Sequence, residues 1–260
     1  MISKAQLQQI LKPLSDDQRK ARVQKNIQEL LKSCTKNSDG TYSSKGDVNL
    51  SSLALDKLPV KFKEVGGGFF CSDNNLTTLE GAPEKVGSDF YCDYNQLTTL
   101  EGAPEEIGDS FICNNNQLTT LEGGPKKVGR DFYCGTNNLT TLEGAPEEVG
   151  EDFYCGNNKL TSLEGAPDKV GGKFACNDNK LTTLEGGPEE VGGNFHCERN
   201  QLTSLKGAPK KVGKDLYCDY NQLTTLEGAP ETIGGGYLVC SNNPVSQEAL
   251  KKTVKREYLK

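Results

Sequence analysis

The residues able to do chemistry in this 260-residue chain are spaced in a way that points away from catalysis. His196 is the only histidine, and no Ser or Cys stands in a recognisable nucleophile setting beside it. Acidic residues are dispersed along the chain rather than paired as an acid and base would be. No active site is expected, and the chain reads as a non-enzyme.

Ten cysteines are present, and eight of them, Cys71, Cys92, Cys113, Cys134, Cys155, Cys176, Cys197 and Cys218, recur every 21 residues. In a secreted chain that number would suggest a disulfide framework. One Cys per period fits better a column of small hydrophobes sharing one interior, with Val239 in the ninth place and Cys34 and Cys240 outside it. Parallel neighbouring side chains make the disulfide torsion awkward, so reduced thiols are expected. Without CxxC spacing or a Cys-His cluster, neither a metal nor a cofactor is expected. A second column holds Glu80, Glu101, Glu122, Glu143, Glu164 and Glu185, then Lys206 and Glu227. Like charges stacked at one-repeat spacing repel, so they splay into solvent, accept offsetting hydrogen bonds or hold cations between them.

The element that positions these columns is one stretch, Asp89 to Pro104, which recurs with small edits every 21 residues. A fixed period of this size signals a solenoid, in which each unit buries its apolar face only against its neighbours. Phe90 inward, Tyr91 outward and Cys92 inward alternate with period 2, which predicts a short strand. Gly102, Pro104 and Gly108 end regular structure, so the return side is predicted as turns and extended chain without full helices. An Asn column from Asn74 and Asn95 to Asn221 and Asn242 suits the bend after each strand, where an amide can both donate and accept.

Each unit reads Phe-x-Cys-x-x-Asn-x-Leu-x-x-Leu, followed by Glu-Gly-Ala/Gly-Pro-x-x-Val/Ile-Gly. This resembles the leucine-rich repeat pattern L-x-L-x-x-N-x-L-x-x-L, with Phe and Cys in the first two Leu places. More narrowly, Phe-x-Cys with Leu-Thr-Thr-Leu-Glu-Gly-Ala-Pro is similar to repeats of bacteria and large tailed phages. The resemblance implies a leucine-rich repeat solenoid, curved and right-handed, with a parallel sheet on its concave side. It implies no reaction.

Three regions follow: a helical N-terminal cap and linker over 1–46, a solenoid of about ten coils over 47–243, and a helical C-terminal cap over 244–260. A short helix is predicted from Ser3 to near Pro13, and Ser15 with Gln18 forms a capping box for a second one. Val23, Ile27, Leu30, Leu31 and Cys34 share its apolar face. Residues 37–46 read as a polar connector. The last coil is assigned Tyr237, Val239, Asn242 and Pro244, with a closing helix after Ser246.

Residues 1–46 carry nine Lys and Arg against four Asp and Glu, whereas 47–243 hold 16 basic and 30 acidic residues. An acidic stack repels phosphate backbones, which argues against nucleic acid as a partner. No apolar run follows Met1, so neither a signal peptide nor a membrane span is expected and a cytoplasmic location is.

Outward strand positions are the ones least constrained by folding. Tyr91, Tyr133, Tyr154, His196 and Tyr217 form their central column, flanked by Asp131 and Asp152 on one side and Asp93, Tyr94, Arg199, Asp219 and Tyr220 on the other. Tyr gives rigid contact area with a polar end, so this stripe is expected to bind a protein with a basic or mixed apolar surface. A phage protein directed at a host factor is one form of that reading. A structural or self-associating assembly component is the alternative, and the oligomeric state stays open.

Overall fold

A computed structural model describes residues 15–246. Their framework is two parallel sheets built from strands of mostly two residues, joined by tight turns. The first, here the Phe sheet, has ten strands running from Val48–Asn49 to Leu238–Val239. Phe90–Tyr91 pairs in register with Phe69–Phe70 on one side and Phe111–Ile112 on the other. Each 21-residue coil thus repeats the same backbone one strand spacing further on, about 4.8 Å.

The return side is more regular than the sequence suggests. It carries a second sheet, the Val sheet, with eleven strands from Thr35–Lys36 to Thr232–Ile233, parallel throughout except for its first pair. Between Pro104 and Gly108, Glu106 faces out and Ile107 is buried, and the pair sits in register on Lys85–Val86 and Lys127–Val128. Two residues are too few to display a periodicity, so the strand was readable only as extended chain. Its outward column alternates without a break through Glu64, Lys85, Glu106, Lys127, Glu148, Lys169, Glu190 and Lys211.

The interior is a set of columns. Phe69 through Phe195 are fully buried. Their rings stack between successive coils, as at Phe90 and Phe111 with centroids 5.4 Å apart and planes 10° from parallel. Leu97 and Leu100 with their counterparts complete the apolar fill, and Cys71 to Cys218 are buried free thiols. With 34% apolar residues and no Trp the chain is lean for a globular core, and stacking the same buried side chains coil upon coil takes its place.

Buried amides close each coil. The Nδ2 of Asn95 donates to the carbonyls of Cys71, Cys92 and Asp93, while its Oδ1 accepts from the Leu76 amide. Two glycines per coil allow the close stacking. Gly102 takes φ +88°, and a Cβ there would lie 2.9 Å from the Leu79 carbonyl of the preceding coil. At Gly108 a Cβ would come within 2.0 Å of the Gly87 oxygen, closer than any side chain can approach.

The ends differ from expectation in two places. Helix α1, Asp16–Lys32, has the capping box: the Gln18 amide donates to Ser15 Oγ and the Ser15 amide to Gln18 Oε1. Ile27 is buried, with Val23, Leu30, Leu31 and Cys34 packed on the same core. The connector after it is a hairpin, in which Thr35–Lys36 pairs antiparallel with Tyr42–Ser44, and Tyr42–Ser44 heads the Val sheet by pairing with Phe62–Val65. At the other end the last coil is one residue longer than read. Leu238 pairs with Leu216, so Leu238, Cys240 and Asn243 take the interior places assigned to Tyr237, Val239 and Asn242. Asn243 Oδ1 accepts from Leu223 and its Nδ2 donates to Cys218. Gly234-Gly235-Gly236 absorbs the extra residue, having no side chain to mark a register. The helices expected over Ser3–Pro13 and after Ser246 lie outside the described residues.

Candidate interaction face

The Phe sheet fixes where the candidate residues stand, because every outward side chain follows a fully buried one. Phe70, Tyr91, Ile112, Tyr133, Tyr154, Ala175, His196, Tyr217 and Val239 occupy this column in sequence, all half-buried except Ala175, which is buried. Val239 comes into this column by the one-residue shift in the last coil.

Within the column the aromatic rings meet in pairs. Phe70 and Tyr91 are edge to face with centroids 5.2 Å apart, and Tyr133 and Tyr154 do the same at 6.1 Å. His196 stacks on Tyr217 at 4.5 Å with planes 7° apart. Ile112 and Ala175 separate the pairs, so the face is three aromatic islands rather than one stripe.

Tyr154 is held from both sides by backbone. A Cβ at Gly135 would lie 2.1 Å from its ring and one at Gly156 2.8 Å from its hydroxyl, which accepts from Asn157 Nδ2 at 2.9 Å. The sequence signal for this cradle is the Gly that replaces Asp93 and Asn114 in that column in two successive coils.

The flanking carboxylates have a folding task that spacing alone did not reveal. Asp131 Oδ1 accepts the Asp152 amide at 2.9 Å, Asp152 Oδ1 accepts the Lys173 amide at 2.7 Å, and Asp89 Oδ1 accepts the Ser110 amide at 3.1 Å. Asp219 Oδ1 accepts the Ser241 amide, and Asp93 accepts from Ser72 Oγ. The candidate carboxylates therefore serve first as rungs between coils, and reach a partner only with what remains of their charge.

That charge acts on the phenols. Burial, reinforced by Asp89 and Asp131, raises the Tyr91 pKa. Burial with Asp131 and Asp152 pushes Tyr133 up to about 12, and burial with Asp215 raises Tyr217. The hydroxyls stay protonated; that of Tyr217 is turned to Asp215, and those of Tyr91 and Tyr133 are donors toward anything that docks.

Three candidate residues at the turn after the strand are well exposed. Tyr94 and Tyr220 are 59% and 51% exposed, and with Arg199 they lie at left-handed backbone positions, φ 51°, 52° and 54°. Asp73, Asn115, Thr136, Asn157 and Asp178 occupy the same place in other coils; Asp and Asn tolerate that conformation, whereas a β-branched or bulky aromatic residue is strained there. Arg199 Cζ lies 4.6 Å from the Tyr220 ring centroid, and its Nε lies 3.9 Å from Asp178. His196 Nδ1 is 3.2 Å from Glu198 Oε1, while Glu198 Oε2 is buried with no hydrogen-bond partner among the described residues.

The stacked glutamates resolve simply. All are exposed, and the carboxylates at the two ends pair with Lys61 and Lys206. Among the described residues His, Cys, Asp and Glu form no group of three placed to hold a metal ion, and no helix is long and apolar enough to cross a membrane.

Neither a family model nor a curated protein matches the chain's sequence. Among solved structures the chain is similar to YopM, a leucine-rich effector protein from Yersinia pestis, at 21% identity and a TM-score of 0.48. The match covers 76% of this chain, which spans 60% of that one. By its own coordinates the chain is a parallel β-solenoid of 21-residue period, with a leucine-rich repeat pattern of buried Leu and Asn in its successive coils.

Proposed function

We propose that this protein is a non-catalytic protein-interaction module, and that its partner docks on the outward face of the Phe sheet. The observation that carries this reading is the aromatic column Tyr91, Tyr133, Tyr154, His196 and Tyr217, half-exposed where coil formation needs no aromatic. Ile112 and Ala175 occupy the same place in intact coils. Protonated hydroxyls beside a row of carboxylates suit a partner with a basic or mixed apolar surface.

In the leucine-rich repeats that this pattern resembles the corresponding sheet lies on the concave side, which supports this face as the docking surface. Similarity to repeats of bacteria and large tailed phages makes a host protein the candidate partner. The buried thiol column is suited to a reducing compartment, which supports a cytoplasmic location.

Affinity capture from a bacterial host lysate, comparing the full chain with Tyr91→Ala/Tyr154→Ala/Tyr217→Ala, tests the reading. A protein retained by the first and lost by the second is the expected result. Equal retention removes the aromatic face as the site.

One observation favours a second reading, a self-associating structural component. The alternating Glu and Lys column of the Val sheet is complementary to a copy of itself offset by one coil. Light scattering separates the two, because association through exposed charges dissolves as salt rises.

A further inference from the structure

We infer that Tyr94 is a docking point for an arginine side chain of the partner, an assignment that rests on the Phe sheet being the protein-binding face. The argument begins with a duplication. From Asp89 to Glu105 and from Asp215 to Glu231 the chain is identical except that Leu216 replaces Phe90. The two coils therefore present the same outward set, Tyr91, Asp93 and Tyr94 in one and Tyr217, Asp219 and Tyr220 in the other.

Their surroundings differ at the preceding coil, which sets a cation beside one and a carboxylate beside the other. Tyr220 is covered by Arg199 of the preceding coil, whose guanidinium spans from the ring to Asp178. The residue in the place of Arg199 beside Tyr94 is Asp73, and the one beyond is Asn115. Tyr94 shows no ring or cation contact among the described residues, and it is the most exposed large hydrophobic side chain among them. The molecule thus fills one of two like sites with its own arginine and leaves the other open.

The open site has what a guanidinium needs. Asp73 and Asp93 stand next to Tyr94, each fixed as an acceptor by a serine hydroxyl, Ser52 Oγ on Asp73 and Ser72 Oγ on Asp93. A planar guanidinium can stack on the ring while its N–H groups reach a carboxylate, whereas a lysine ammonium offers a point charge without the planar surface. The backbone adds an independent argument. The left-handed position costs a bulky residue more than the Asp or Asn found in neighbouring coils, so Tyr94 is held there against local preference.

The test uses the full chain labelled with 3-fluorotyrosine, whose nine tyrosines give resonances assignable by single Tyr→Phe variants. The probes are two blocked tetrapeptides that differ only in carrying arginine or lysine. The arginine peptide should move the Tyr94 resonance and leave Tyr220 in place. The lysine peptide should move Tyr94 by about a fifth as much or less at equal concentration. Arg199→Asp, which sets at Tyr220 the carboxylate that Asp73 supplies at Tyr94, should then give Tyr220 a matching response, turning one site into two. A still Tyr94 resonance, equal responses to both peptides, or an unresponsive Tyr220 in Arg199→Asp each overturns the assignment. Shifts confined to Tyr91, Tyr133 and Tyr154 overturn it too, yet leave the broader interaction face standing.

Discussion

Asp131 accepts the backbone N–H of Asp152 through Oδ1 at 2.9 Å, one full coil away. A carboxylate that looks from its position like part of a binding edge is therefore a rung of the stack. Hydrogen bonds to charged groups contribute about 1.5–3 kcal/mol, so Asp131→Ala should lower unfolding stability by roughly that amount. Asp131→Asn keeps an acceptor and should recover most of it. Urea unfolding followed by circular dichroism measures both, and equal losses in the two variants would remove the rung from the account.

Asn95 should be more costly to lose. Its amide satisfies three carbonyls and one N–H in a buried bend, and Asn95→Ala leaves several of them unpaired at about 1–3 kcal/mol each. Gln96→Ala, at the exposed next position, should stay within about 0.5 kcal/mol. Paired denaturation curves decide the matter.

The thiol column makes the fold sensitive to alkali. Burial raises the pKa of Cys71, Cys92, Cys113 and their counterparts far above the ordinary 9.0, so the folded state keeps protons that the unfolded chain releases. Stability from each thiol is complete below pH 9 and is lost as pH rises above it, by about 1.4 kcal/mol per pH unit. Cys113→Ala should flatten the pH dependence above 9 by that slope, as chemical denaturation at a series of pH values would read.

Reactivity should follow burial in the same column. Cys34 and Cys240 are half-buried and eight thiols are buried, so a thiol reagent should modify at most two groups quickly in the native protein and all ten in denaturant. Rapid native modification of more than two would contradict the closed column.

On the Val sheet, Lys127 stands between Glu106 and Glu148 in the alternating column. Lys127→Glu sets three like charges in a row and should lower Tm at low ionic strength, with the loss largely closed by about 0.5 M salt. A loss independent of salt would point to packing instead.

Much of this architecture is legible in the residues because a coil needs the same side chain at the same place every time. The Phe, Cys, Asn and Leu columns reveal themselves by repetition, and with them the buried face and the strand that carries Tyr91. What escapes has a physical reason in each case. Glu106–Ile107 forms a strand only because its neighbours repeat the same backbone, and a two-residue element has no pattern of its own. The slip from Asn242 to Asn243 passes through three glycines, which carry no side chain to align. Asp131 and Asp152 look free because a hydrogen bond to a backbone amide one coil away leaves no mark on side-chain spacing. The pairing of Arg199 with Tyr220 joins adjacent coils at a position where the other coils vary, so no column announces it.

The central claim, that a protein binds the aromatic column of the Phe sheet, is tested most directly by calorimetric titration of the captured partner into the full chain and into Tyr91→Ala/Tyr154→Ala/Tyr217→Ala. Circular dichroism first establishes that the variant keeps its fold. Aromatic anchors at the centre of an interface contribute about 2 kcal/mol or more each, so losing three should weaken Kd by ~10,000-fold. An unchanged Kd in the folded variant would contradict the account.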